Sequence, residues 1–206
     1  MTTEQADAAA ILSFWLMESQ PKQWFRQSDA FDQAIRQRFG GQCAKGQKGH
    51  LDHWAHHRDG SLALVLLLDQ FSRHVWRGSA QAFAGDGKAV ALSLQAVANG
   101  WLNQEPERVR RQFWLMPLLH SEELDVQDQA VELMQRYADP ATAAIAKRHR
   151  AVIAQFGRFP HRNGVLNRQN SAEEIRFLSR HQPVTPRPSS VAPADPLPMP
   201  TADPPA

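Results

Sequence analysis

Apolar residues recur along the chain at steps of three and four, and no segment alternates apolar with polar side chains as a half-buried strand does. The spacing predicts a first helix over residues 4–17. A second starts at Ser28 or Asp29 and carries Phe31, Ile35 and Phe39 at four-residue steps, with Gly40 and Gly41 weakening its end. Asp59 caps a third, which contains LALVLLL (62–68); this run is apolar on every side and therefore belongs to a central, surrounded helix. A fourth runs from Asp86 or Gly87 to Asn99-Gly100. Pro106 suits the first turn of a fifth, which Pro117 distorts or ends. Further helices are predicted over 122–138, over 141–156 with a stop at Gly157, and over 172–180, where Ser171 and Glu174 have the spacing of a capping box. The expected fold class is all-α, an antiparallel helical array.

Composition sets where that array ends. Of 206 residues 42% are hydrophobic, enough for a globular body. Nine of the 14 prolines fall in the final 25 residues. Proline at that density denies the backbone both helical and ladder hydrogen bonds. One helical domain over 1–181 is expected, followed by a Pro-rich disordered tail over 182–206. Pro183 and Pro186 have P-x-x-P spacing, so the tail is either a polyproline ligand or a dispensable extension.

The net charge of +2 conceals an asymmetry. Residues 141–181 hold eight basic side chains against Glu173 and Glu174, whereas residues 1–140 hold 14 basic and 17 acidic ones. A basic segment favours an anionic partner, and its bland alternative is a solvated arginine-rich surface. Aromatic residues do not interleave with the basic ones in a stacking motif, so nucleic acid is not the expected partner. A single cysteine, Cys43, excludes an internal disulfide and a Cys-rich zinc site. The run AAAILSFWLM is too short to span a bilayer and follows Glu4 and Asp7 rather than a basic segment. A cytoplasmic protein without membrane association is expected.

The candidate chemistry lies where polar groups occupy apolar positions. Ile145, His149, Val152 and Phe156 share one face of the 141–156 helix, so His149 is either a core histidine bonded to a carbonyl or a pocket residue. Asp69 follows the LVLLL run and precedes Arg73 by four residues, the favoured acid-then-base order. His120 ends an apolar segment; Ser121 can cap the next helix, with Glu122 and Glu123 in its first turn. HLDHWAHHR (50–58) has His53 and His57 at i, i+4 but lacks a third ligand in register, so it reads as a solvated turn and no metal is expected. The most unusual stretch is FGRFPHRN (156–163). Gly157 stops a helix, and Arg158 can bond its freed carbonyls. Phe159-Pro160 then fixes a turn from which His161, Arg162 and Asn163 project.

These stretches, with FW at 14–15, LVLLLDQF (64–71), Arg77-Gly78, P-x-x-H-S-E (117–122), His149-Arg150 and S-A-E-E-I-x-F-L (171–178), resemble the bacterial family known as domain of unknown function 924. The resemblance covers about residues 8–180 and implies a tetratricopeptide-like superhelical packing; no 34-residue period is visible in the sequence itself. It implies no activity. Ser72 and His74 depart from the LLDQFPRN pattern, Glu123 stands for an aspartate, and Asn167-Arg168 replaces Gly-Arg.

Two readings of function follow. In the first, the array is a binding module whose cationic cleft takes an anionic small molecule or an acidic peptide terminus, through Arg73, Arg77, His120, Arg150, Arg158, His161, Arg162 and Asn163. In the second it is a hydrolase of a phosphorylated or carboxylated metabolite, with His149 or His161 as acid–base group and Asp69 or Glu122 orienting it. No Gly-rich phosphate loop or G-x-S-x-G elbow is present, and no cofactor is expected.

Overall fold

A computed structural model describes residues 3–181, and the Pro-rich tail lies outside the described residues. The fold is all-α. Helix α1 (Thr3–Ser13) continues into a π-helical turn, Phe14–Glu18, closed by Ser19, whose N–H and hydroxyl both donate to the Phe14 carbonyl. A short α2 (Pro21–Phe25) leads to α3 (Asp29–Gln47), capped by Ser28. Gly40 and Gly41 do not end α3. The face formed by Phe31, Ile35, Phe39 and Cys43 is buried along that stretch, and packing outweighs a glycine penalty of about 1 kcal/mol each.

The LALVLLL run does lie at the centre. Helix α4 (Arg58–Val65), a π-helical stretch Leu66–Phe71 and α5 (Ser72–Val75) follow one another without a break, and Leu62 to Leu68 are wholly inaccessible to solvent. Around this rod pack α1, α3, α6 (Asp86–Ala98) and α8 (Arg108–His120), with α7 (Trp101–Gln104) joining the last two. Trp15, Phe71, Phe113 and Trp114 complete the core, each such side chain contributing about 1.5–3 kcal/mol by leaving water. Pro117 sits inside α8 rather than ending it: the helix continues one turn further with Pro117, Leu118 and Leu119 buried. Helix α9 (Leu124–Tyr137) packs on α8, and α10 (Pro140–Phe156) packs on α9. Gly157 ends α10 at φ 67°, a left-handed conformation in which a side chain is strained.

The face predicted for α10 is displaced. Ala143, Ala146 and Ile153 are buried, while Ile145 is 37% exposed. Cys43 is buried, and burial pushes its thiol up to about 12. Contacts gather residues up to Asn170 into one unit, and a second begins at Ser171. In the latter, α11 (Ala172–His181) carries the capping box read from the sequence: Ser171 N donates to Glu174, and Glu174 N donates to Ser171 Oγ.

Candidate functional site

The π-helical stretch Leu66–Phe71 places Asp69. Ser72 N reaches the Leu67 carbonyl, five residues back, and that extra residue per turn carries Asp69 and Gln70 into the interior as part of the buried rod. Asp69 is fully buried. Its Oδ1 lies 2.7 Å from His120 Nδ1, at the last residue of α8, and 3.4 Å from Arg73 Nη2; Gln70 Nε2 donates to Oδ2. Burial pushes the Asp69 carboxyl up, but the charges and hydrogen bonds of His120, Arg73 and Gln70 together outweigh it and hold the group below the ordinary carboxylate range. An ionised Asp69 can only accept. The His120 nitrogen facing it therefore carries a proton, which fixes the tautomer of the neutral ring.

Arg73 serves Asp69 only in part. Its closer partners are the Asp86 carboxylate at 2.8 Å and the Ala82 carbonyl. Asp86 opens α6 and lies also 3.5 Å from Arg162 Nη1. Burial raises the Asp86 carboxyl despite both arginines, with Asp69 adding to the rise. The Arg162 guanidinium is 4.9 Å from the Phe83 ring centre and 4.6 Å from that of Phe159, and Arg73 is 4.4 Å from Phe83. Arg162 is only 6% exposed, and among the described residues its Nε makes no hydrogen bond. Burial accordingly lowers the guanidinium below its ordinary value.

The FGRFPHRN loop is fastened to the start of α9. Glu122 accepts from Phe159 N at 2.9 Å and from Arg168 Nη1 at 2.7 Å, so both its oxygens hold the loop. Asn163, fully buried, donates to Asn170, and Arg158 donates to the Gln169 carbonyl. Phe159 is buried, with the rings of His149 and His161 at 5.2 and 5.5 Å.

A hollow of about 460 Å³ lies among these elements, and His120, Asp86, Glu122, Glu123, Arg162 and Arg168 are its charged and titratable lining. Phe83, Val90, Val126 and Leu166 supply apolar wall. A larger groove of about 910 Å³ runs beside α1 and the 52–56 turn, lined by Leu12, Trp54 and the exposed His53, His56 and His57. Its ion pair of Asp59 with Arg110 is exposed at the aspartate, whereas His120 of the smaller hollow meets a fully buried carboxylate. Among the described residues no three His, Cys, Asp or Glu side chains gather as a metal ion would require, and no helix is long and apolar enough to cross a membrane.

The model of a family described as bacterial proteins of unknown function, DUF924, matches residues 11–182. The chain belongs to DUF924. It is similar to a solved structure, the protein of unknown function ATU0120 from Agrobacterium tumefaciens, at 36% identity and a TM-score of 0.79, over 85% of this chain and 98% of that one. No curated protein matches.

Of the positions that carry the DUF924 resemblance, the structure brings Asp69, Arg73, His120, Glu122 and Arg162 together. Others point elsewhere. Arg77 is held bidentately by Asp32 of α3, which also accepts from His74 Nδ1 at 2.7 Å. Arg150 pairs with Asp128 on the surface at 2.7 Å. His149 donates Nδ1–H to the Leu119 carbonyl at 2.9 Å, the core-histidine alternative, and burial lowers it against that bond. His161 is exposed on one side, yet the surrounding protein, then Arg162 and His149, push it down to about 4. Among the described residues neither His149 nor His161 meets a carboxylate; His74 meets Asp32 away from the hollow, and the imidazole that lines the hollow and meets a carboxylate is His120. Asp86 and Asp32 were not singled out in the sequence, because an acid at or near a helix start reads as a capping or dipole residue.

Proposed function

We propose that the hollow beside His120 binds a small molecule bearing a carboxylate or phosphate and acts on it by hydrolysis, with His120 as acid–base group, Asp69 orienting it and Arg162 meeting negative charge. The observation that carries this reading is the 2.7 Å bond between His120 Nδ1 and the fully buried Asp69, while the same imidazole lines a hollow that also contains a buried, incompletely bonded guanidinium. With Nδ1–H committed to Asp69, Nε2 of the neutral ring is free to take a proton from an attacking water, as a general base does. Arg162 then faces the charge that develops, beside the apolar wall of Phe83, Val90, Val126 and Leu166. The sequential packing of α8, α9 and α10 supports a tetratricopeptide-like scaffold for this cleft.

The simple binding module stands second. It is favoured by the local pairing of Arg168 with Glu122 and of Arg73 with Asp86, which leaves less positive charge for chemistry than the sequence suggests. A hydrolysis screen of carboxylate and phosphate esters separates the two. His120→Asn should cost about 10²–10⁴-fold in turnover while leaving ligand-induced stabilisation in place. Loss of binding with no hydrolysis detected in the parent chain would sink the enzymatic reading.

A further inference from the structure

The charges around the hollow are not of one sign, and the pairing among them is incomplete. Arg168 is held by Glu122 at 2.7 Å, and Asp86 is engaged by Arg73 at 2.8 Å with Arg162 beyond it at 3.5 Å. What remains is Arg162 Nε and Asp86 Oδ1, both buried and without a hydrogen bond among the described residues, and Glu123, whose exposed carboxylate makes no hydrogen bond or ion pair among them. The Arg162 donor and the Glu123 carboxylate thus line the same space as the apolar wall of Phe83, Val90, Val126 and Leu166.

From this we infer that the ligand is a zwitterion of the amino-acid class with an apolar body: its carboxylate lies on Arg162, its ammonium faces Glu123, and its side chain covers the apolar wall. The inference rests on the reading of this hollow as the ligand site and narrows the ligand class; within it a peptide has a bond that hydrolysis can break, and a free amino acid is a product or a bound ligand. A phosphate dianion gains Arg162 but must sit in a wall that also holds Asp86, Glu122 and Glu123, where like charge opposes it. A carboxylate carries half that charge and suits the planar guanidinium fork, and the ammonium turns the remaining acidic rim from a penalty into a contact. A free apolar amino acid and a short apolar peptide present the same chemistry. The volume of about 460 Å³ is within the range of small-molecule sites and accepts either.

Isothermal titration of the full chain with five probes tests the assignment: L-leucine, Leu-Leu, N-acetyl-L-leucine, L-leucinamide and inorganic phosphate. L-leucine or Leu-Leu should bind, and removing the ammonium or the carboxylate should each weaken binding by about tenfold or more. Which of the two binds tighter identifies the source. Glu123→Gln, at an exposed position, should reduce L-leucine to the affinity of N-acetyl-L-leucine and leave the latter unchanged. Arg162→Gln should make L-leucine and L-leucinamide equal; should that variant not fold, Glu123→Gln decides alone. Equal binding of L-leucine and its N-acetyl form, indifference of L-leucine to Glu123→Gln, or no heat from either zwitterion overturns the inference. Heat from phosphate without heat from the zwitterions would overturn it and yet preserve an anion site. The hydrolysis loss in His120→Asn is read separately, so failure here leaves that reading standing on its own test.

Discussion

Asp32 illustrates how much a single carboxylate does in this protein. It is buried on α3, accepts from His74 Nδ1 at 2.7 Å and from two nitrogens of Arg77, and so fastens α3 to the end of the central rod. Burial pushes its carboxyl up, but the bonds from Arg77 and His74 overcome that and hold it below the ordinary range. Removing it leaves a buried imidazole and a partly buried guanidinium without their acceptor. Asp32→Ala should therefore cost about 3 kcal/mol, at the lower end for a broken buried pair because Arg77 reaches solvent. Denaturant melts of the variant measure this. A loss under about 1 kcal/mol would show that water replaces the carboxylate at little expense. His74, one departure from the family pattern, is committed to Asp32 and does not line the hollow. Asp32 could not be read as its partner, because 42 residues separate them and nothing local links the two.

At the scale of elements, what was legible is what is local. The start and end of α6, the stop of α10 at Gly157 and the capping box of α11 all follow from residues within a turn of the feature. The π-helical stretch was not legible, since LVLLLDQF reads as an unbroken apolar helix whatever its hydrogen-bond register. Gly85 depends on it. A Cβ at Gly85 would lie 2.9 Å from the Leu68 carbonyl oxygen and 3.1 Å from Leu68 Cβ, and neither can swing aside. The 80–86 segment that supplies Phe83 and Asp86 is seated against the rod only because this position lacks a side chain. Gly85→Ala should destabilise by about 1–3 kcal/mol, the range for an overpacked core. Gly87→Ala, two residues on, meets nothing within 4 Å and lies in the first turn of α6. It should be neutral or stabilising by up to about 1 kcal/mol. Thermal melts of the two variants side by side test the claim, and equal effects would refute the steric account. The candidate site was legible as a set of stretches, not as an assembly. His120 was visible as a polar residue ending an apolar segment, Arg73 as the base four residues after Asp69 and Arg162 as part of an unusual turn, but which carboxylate each would meet depends on helices packed from distant parts of the chain.

The whole molecule responds to pH through several groups at once, and the signs do not all agree. Burial lowers His74 and His149, and with Arg162 and His149 it brings His161 to about 4. For each, the unfolded chain, with histidines near 6.5, takes up protons before the folded one does. Their contribution is thus fully present above pH about 6.5 and drains away as pH falls through the window, which for His161 closes near 4. Asp32 and Asp69 are lowered as well, and their contribution is lost further down, as pH falls below the ordinary aspartate range toward their folded values. Asp86 runs the other way. Its folded carboxyl is raised, so the folded chain binds its proton first and gains stability as pH falls through that raised value. Histidines losing outnumber the one carboxylate gaining, and the urea midpoint should decline steadily from pH 7 to pH 4. The slope is bounded at about 1.4 kcal/mol per pH unit for each proton the unfolded chain binds in excess. His149→Gln should flatten the upper part of that decline, because glutamine can keep the bond to the Leu119 carbonyl without a titrating charge. Asp86→Asn should steepen the lower part by deleting the opposing term. A midpoint that stays level between pH 7 and pH 4 would mean that water reaches these imidazoles in the folded protein as freely as in the unfolded chain.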